Sequence, residues 1–499
     1  MEINSLGYLL FVGISLLLYW LIPHRFQWIL LLIDSFIFYF FSTEPRTIIY
    51  VLISALSAYV AAILFNSEKY SKYKKMILWF VILCNVGILA VLKYTNMIIG
   101  TINFSIKTNL EMVKFASSLA VSYYTLQIIA YIVDSYLRVI KPEKNFLKLL
   151  LFTMFFPQMV SGPISRWNNL GHQLFDEHRF DYDRVTTGMR RILWGIGKKM
   201  VVADRLGILV SYMFDNVDVY SGVWIIIAAL CFVVELYFDF SGCMDIIIGV
   251  ANCFGIKLSE NFNSPFMSKT VQEFWQRWHM TLGGWLRDYI MYPISRSKNF
   301  KEWGRKCKKK YGKKGIQIPY YFAMFVVWTL MGVWHGNSWK FIIGEGWYFW
   351  ILIVLSQILT PTFKKIKSIC RIKDESKVWN VFQIVRTTIL VALGNIAFRA
   401  SSLSQTIYMF KRMFVYSSIR SPLQELPWGE FGGGIVLLGV GTIGLLQVFC
   451  DIYCYKGREV QELITKQKFL VRWILYLGYT AIIICAGAFG KSQFIYFGF

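Results

Sequence analysis

The chain of 499 residues is 56% hydrophobic and 18% aromatic, carries only 16% charged residues and has a mean hydropathy of +0.48. Ordinary soluble domains carry roughly 25% charge, so most of this surface is built to face lipid, and with no charged linker between the apolar runs one membrane-embedded domain over 1–499 is expected. The net charge of +24 does not point to nucleic acid, because the basic residues cluster in short segments between apolar runs, as in cytoplasmic loops of membrane proteins.

A helix crosses a bilayer core with about 20 apolar residues and a minimum near 17. Stretches free of Asp, Glu, Lys and Arg run, in chain order, over Ser5–Leu21, Thr47–Phe65, Met76–Leu92, Ala116–Val133, Leu149–Ser165, Val219–Val234, Ile316–Trp339, Gly346–Phe363, Phe431–Cys450 and Trp473–Gly490. Weaker candidates are Phe26–Ser42, interrupted by Asp34, then Phe240–Ile256, and Val381–Phe398, which contains Arg386. An all-α polytopic protein with roughly 11 to 13 spanning or re-entrant segments follows. The opening MEINSLGYLLF lacks the basic flank and small-residue cleavage site of a secretory signal, so the first run is expected to stay as a span.

Basic loops set the orientation. Residues 66–75, 135–148, 296–314 and 364–377 carry excess Lys and Arg, and placing them inside puts the N-terminus outside. The segment Arg296–Lys314 holds ten basic residues against the single Glu302. It reads either as a loop at anionic lipid or as a surface that recruits an anionic donor. The nine cysteines lack zinc, haem or redox spacing, so no metal site is expected.

Five histidines are present. His24, in an interfacial IPHR turn, and His172 and His178, in a polar stretch, read as structural. His335 differs: it lies in VWTLMGVWHGNSW at the end of an uncharged apolar segment, where an ionisable group marks a functional site by default, although a satisfied structural histidine is also common. His279 lies in VQEFWQRWHMTLGGWLRDYI, among Trp275, Trp278, Trp285, Arg277, Arg287 and Asp288; that segment is too polar to face lipid and belongs at a cavity or interface. Arg287 with Asp288 reads equally as an ion pair. Upstream, Glu235, Asp239 and Asp245 fall at membrane depth and need cations, for which Arg277, Arg287 and Arg399 are candidates; a buried network that fixes helix packing is the plainer reading.

The run from Tyr237 to Pro293 closely resembles the central signature of bacterial membrane-bound O-acyltransferases. MVSGPISRW at Met159–Trp167, GVWHGNSW at Gly332–Trp339 and AFRASSL at Ala397–Leu403 agree with it, giving a signature core over 159–403, and FIYFGF at Phe494–Phe499 resembles the end of the alginate O-acetyltransferase branch. The resemblance implies a ring of spans around a thin floor, with a funnel from each face. It implies His335 as the catalytic base and His279 as a second catalytic or donor-positioning residue; beside them Trp278, Arg277, Trp275, Asp288, Asp239 and Asn337 are expected, from their places in these segments, as binding or supporting groups. It further implies a cytosolic acyl-thioester donor, acetyl-CoA or an acyl carrier protein, and an extracytoplasmic SGNH-type transferase or polysaccharide acceptor. Such chemistry needs a base for the hydroxyl that attacks the thioester, and no tightly bound cofactor. D-alanyl transfer from a carrier to teichoic acid is the first alternative; a transporter or channel, which also uses intramembrane charges, is the second, against which no related halves are seen. The chain departs from the branch after Pro293, where ISRSKNFKEWGRKCKKK replaces a glycine-rich stretch.

Overall fold

The computed structural model describes residues 1, 3, 5–115, 120–416, 420–490 and 494–495. Residues 496–499 of the closing FIYFGF stretch, the first four residues of the expected Ala116–Val133 span, and Glu2 and Asn4 of the opening run lie outside them. Among the described residues all regular elements are helical, apart from one isolated antiparallel bridge between Phe262 and Trp278.

Among the described residues, nine helical stretches are long and apolar enough to cross a membrane: His24–Ser42, Pro45–Asn66, Glu68–Ile106, Val223–Cys253, Lys298–His335, Trp339–Ile358, Lys377–Arg399, Gly433–Tyr455 and Phe469–Ala486. Leu6–Leu21 is a shorter apolar helix, started by Ser5, whose hydroxyl accepts from the Tyr8 N–H. The chain is a multi-pass membrane protein. Its side-chain pattern is that of helices in lipid: Leu6, Leu10, Leu17 and Leu21 point outward while Tyr8, Val12, Ser15 and Tyr19 are buried.

Four expected segments take a different form. Val219–Val234 and Phe240–Ile256 join into one 31-residue helix, Val223–Cys253, in which Asp239, between the two runs, is neutralised by the buried Lys199, and Asp245, in the second run, by the half-buried Arg191. Ala116–Val133 becomes the 16-residue helix Val121–Tyr136, which is buried over nearly its whole circumference, with Ser122, Thr125, Gln127 and Asp134 among its inward groups. Leu149–Ser165 is helical only over Phe146–Met154, and the chain from Phe155 to Ser165 continues without regular structure. All of those residues are buried in protein, the condition under which irregular backbone is tolerated at membrane depth. Gly162 is required there, since a Cβ would lie 2.4 Å from Gln158.

The chain divides into two compact units. One is built chiefly from Met1–Ile196 and Cys243–Glu260, the other from Gly197–Gly242 and Asn261–Ser492. In the first, Arg191 donates to Asp245 at 2.9 Å and to both oxygens of Glu260 at 2.6 Å, and Tyr19 shares a 2.7 Å hydrogen bond with His178 Nδ1. The second unit contains both histidines that the sequence singles out.

Candidate active site

The segment 261–281 builds the seat of His279. Helix Val271–Arg277 starts at Thr270, whose hydroxyl accepts from the Glu273 N–H, and ends as the chain extends through Trp278 to pair with Phe262. His279 then takes a left-handed conformation, φ +47° and ψ +50°, before helix Met280–Leu286 begins. That conformation costs a non-glycine residue about 1 kcal/mol. Asn261, fully buried, holds it: its carbonyl accepts from Met280 N at 3.0 Å and its side-chain oxygen from Thr281 N at 3.1 Å and Thr281 Oγ1 at 2.7 Å.

His335 is the last residue of helix Gln317–His335. Beyond it the chain turns back sharply, and two glycines permit this. A Cβ on Gly332 would meet the Phe341 carbonyl oxygen at 2.6 Å, and one on Gly336 would meet the Phe341 ring at 2.1 Å. The returning π-helical turn Ile342–Trp347 brings Glu345 Oε2 to 3.7 Å from His335 Nδ1, while Glu345 Oε1 is buried with no hydrogen-bond partner among the described residues. Lys340 donates to the carbonyls of Phe398 and Ala400, tying the turn to helix Lys377–Arg399.

These two local structures meet at Trp334. Its indole stands edge-on to the His279 ring at 5.4 Å and to the His335 ring at 5.2 Å. Phe240 closes on His279 at 4.9 Å and Phe398 on His335 at 5.9 Å. The two imidazoles are 2% and 3% exposed, so a substrate reaches either only by displacing a ring of this cage. His279 lies outside the nine spans, and burial, with a smaller contribution from His335, holds its pKa well below the usual histidine value of 6.5. A neutral imidazole is the form that can take a proton.

The other sequence candidates surround this pair without joining it. Trp278 stacks on Phe274 at 5.5 Å and packs against Phe262 at 5.0 Å and Tyr237 at 5.9 Å. Trp275 wedges between Trp328 and Phe349, at 5.3 and 4.8 Å. Arg277 is tied to Glu273 and to the Asn263 carbonyl, and lies over the Tyr455 ring at 4.8 Å. Arg287 and Asp288 pair with each other at 2.9 Å, and Asn337 is exposed on the turn after His335.

The cations for the intramembrane acids differ from those expected. Asp239 pairs with Lys199 at 2.7 Å, Lys199 pairs also with Asp204 at 2.7 Å, and Asp245 pairs with Arg191. Arg277 and Arg287 are engaged locally, and Arg399 donates to Ser211 Oγ at 2.9 Å while lying near enough to Glu235 to be felt by it. Burial disfavours the Lys199 ammonium, but Asp239 and Asp204 outweigh it and leave its pKa above the ordinary lysine value. Lys198, on the same π-helical turn Lys198–Ala203, reaches Ser241 at 3.3 Å, and the Tyr237 ring lies 5.8 Å from its ammonium. The signal for these residues was a pair of lysines embedded in apolar sequence, and for Glu345 a lone carboxylate in IIGEGW.

Comparison with known proteins decides what kind of chain this is. Residues 137–304 match the model of MBOAT, the membrane-bound O-acyltransferase family. The chain is 27% identical to a probable alginate O-acetylase of Pseudomonas aeruginosa over 464 residues, 92% of this chain and 82% of that protein. It is 30% identical to a peptidoglycan O-acetyltransferase of Helicobacter pylori over 311 residues, 57% of this chain and 56% of the other. The chain is similar to membrane-bound O-acyltransferases over most of its length. The match to this family's model and to these relatives identifies an acyltransferase. A teichoic acid D-alanyltransferase of Bacillus subtilis is also similar, 32% identical over 259 residues, 50% of this chain and 62% of that protein. The matched segment 137–304 includes His279 and the whole Asn261 clamp; His335 lies beyond it.

Proposed function

We propose that this acyltransferase moves an acetyl group from a cytosolic thioester donor to a hydroxyl of an extracytoplasmic acceptor, in the O-acetylation of a cell-envelope polysaccharide. His335 acts as the base: it takes the hydroxyl proton as the oxygen attacks the thioester carbonyl, the C–O bond forms, the C–S bond breaks, and the proton passes to the leaving thiolate. His279 positions the donor or serves as the second proton-transfer group, and Glu345 orients the His335 ring. Trp278, Trp275, Arg277, Asp288, Asp239 and Asn337 act as supports, through the contacts described above. The donor is acetyl-CoA or an acyl carrier protein, and an SGNH-type protein outside the membrane receives the group or hands it on. The chain sits in the bacterial cytoplasmic membrane with its N-terminus outside, an orientation supported by the distribution of Lys and Arg.

The observation that supports this most is the pair of buried imidazoles bracketing Trp334, at the end of an apolar helix where an unneeded ionisable group is selected against. Purified protein given labelled acetyl-CoA and a polysaccharide acceptor or its partner protein should transfer label, and His335→Ala should lose a factor of about 10²–10⁴. A His335→Ala protein that elutes normally and retains full activity removes the assignment.

The similarity to a teichoic acid D-alanyltransferase supports a second reading, D-alanyl transfer from a carrier protein. Turnover of acetyl-CoA with no carrier present eliminates it; turnover only of a D-alanyl carrier thioester establishes it over the first.

A further inference from the structure

We propose that the helix Lys298–Tyr311 and the turn after it form a binding surface for the headgroups of anionic phospholipids. This goes beyond the acyl-transfer reaction and does not depend on the assignment of either histidine.

The helix has two faces. Phe300, Trp303, Gly304 and Cys307 recur at helical spacing on the inner one. Trp303 meets Phe322 edge-on at 5.5 Å and Phe300 at 5.3 Å, a Cβ on Gly304 would lie 3.9 Å from Pro319, and Cys307 is buried. Gly312, left-handed at φ +68°, turns the chain, and Gly315 passes so close to the Cys307 carbonyl that a Cβ would come within 2.1 Å of its oxygen. The basic helix is thereby folded back onto the first turns of helix Gln317–His335.

Those first turns fix its level in the membrane. Ile316, Ile318, Tyr320 and Phe322 are exposed there, as apolar side chains are when they face acyl chains. A helix packed on Phe322 and Pro319 therefore lies at the boundary between acyl chains and headgroups. Its outer face carries Lys301, Arg305, Lys308 and Lys309, all exposed, in a segment with ten cations and one acid. Among the described residues no carboxylate pairs with any of them. Like charges at this density repel, and phosphate-bearing headgroups beside them supply the missing countercharge within a Debye length. The aromatic inner edge and continuity with lipid-facing residues favour a lipid over a soluble acidic protein.

The test uses the purified full chain in vesicles of phosphatidylcholine alone or mixed with phosphatidylglycerol. Wild type is compared with a combined Lys301→Gln, Arg305→Gln, Lys308→Gln, Lys309→Gln variant, whose altered positions are all exposed. Retained phosphatidylglycerol is measured by native mass spectrometry and the melting midpoint by tryptophan fluorescence. Wild type should retain the anionic lipid and melt higher in mixed vesicles, an effect weakened by salt, and the variant should retain about tenfold less. A milder Lys301→Gln, Lys308→Gln pair should give an intermediate loss and decides the question if the combined variant does not elute as a folded protein. Equal lipid retention by wild type and variants overturns the proposal. So does a full stabilisation of wild type in phosphatidylcholine by free CoA, inorganic phosphate or an acidic carrier protein that the combined and paired variants lose, which would make this a donor surface.

Discussion

Replacing Lys199 with methionine leaves Asp204 and Asp239, 6% and 1% exposed, stripped of an ammonium that stood 2.7 Å from each. Methionine fills most of the lysine stem's volume, so the loss is electrostatic rather than a cavity. Removing one partner of a buried ion pair costs about 3–5 kcal/mol, and two acids sharing one cation place this case toward the upper end. For a chain of this size that lowers the melting midpoint by roughly 3–5 °C. Detergent-solubilised Lys199→Met, Lys199→Arg and the triple variant Lys199→Met, Asp204→Asn, Asp239→Asn would be melted in parallel. The arginine variant should keep part of the stability, and the triple variant should regain much of what the single one lost, because no charge is then stranded. A Lys199→Met protein that melts with wild type, or a triple variant less stable than the single one, refutes the reasoning.

Asn261→Ala removes the side-chain acceptor for both bonds from Thr281 and should cost about 1–3 kcal/mol while releasing the left-handed turn at His279, so that turnover falls further than the melting midpoint alone accounts for. Gly336→Ala drives a methyl group into the Phe341 ring and should destabilise by about 1–3 kcal/mol, read as a lower melting midpoint; Asn337→Ala, on the exposed side of the same turn, should melt like wild type. The depressed pKa of His279 sets a direction with acid: as pH falls below 6.5 the unfolded chain gains a proton there that the folded one refuses, so stability is lost from that point down to the folded-state pKa. His279→Gln should flatten that slope in a pH series of thermal melts, and an unchanged slope would exclude His279 as its source.

Much of the architecture could be read in advance because lipid leaves a coarse signature: uninterrupted apolar runs gave most spans, and a lone imidazole in one of them singled out His335, although the helix ends there and not at Trp339 as the apolar run implied. Failures fell where charge is hidden by pairing. Glu235 and Asp239 separated two apolar runs that form one continuous helix, and the partners of Asp239 and Asp245 are Lys199 and Arg191 rather than the arginines expected. Spacing along one segment cannot report a partner 40 residues away in the chain. The proximity of His279 and His335 was likewise invisible, since it depends on a bridge at Phe262, a clamp at Asn261 and the reversal at Gly336 acting together. Arg277 and Asp288 drew notice for their charge beside His279, but the i,i+4 bond to Glu273 and the adjacent Arg287 account for them locally.

The order of charges along the chain bears on how the protein is made. Arg191, Lys198 and Lys199 are synthesised ahead of Glu235, Asp239 and Asp245. A nascent segment bearing three acids enters the bilayer at a cost of about 3 kcal/mol for each one left unmatched near its centre. With the cations already delivered, the 31-residue helix can be released sideways from the insertion machinery directly onto waiting countercharges. Exchanging those cations for acids and the acids for cations would preserve every pair in the finished molecule, yet change which sign the translocation apparatus has to handle first.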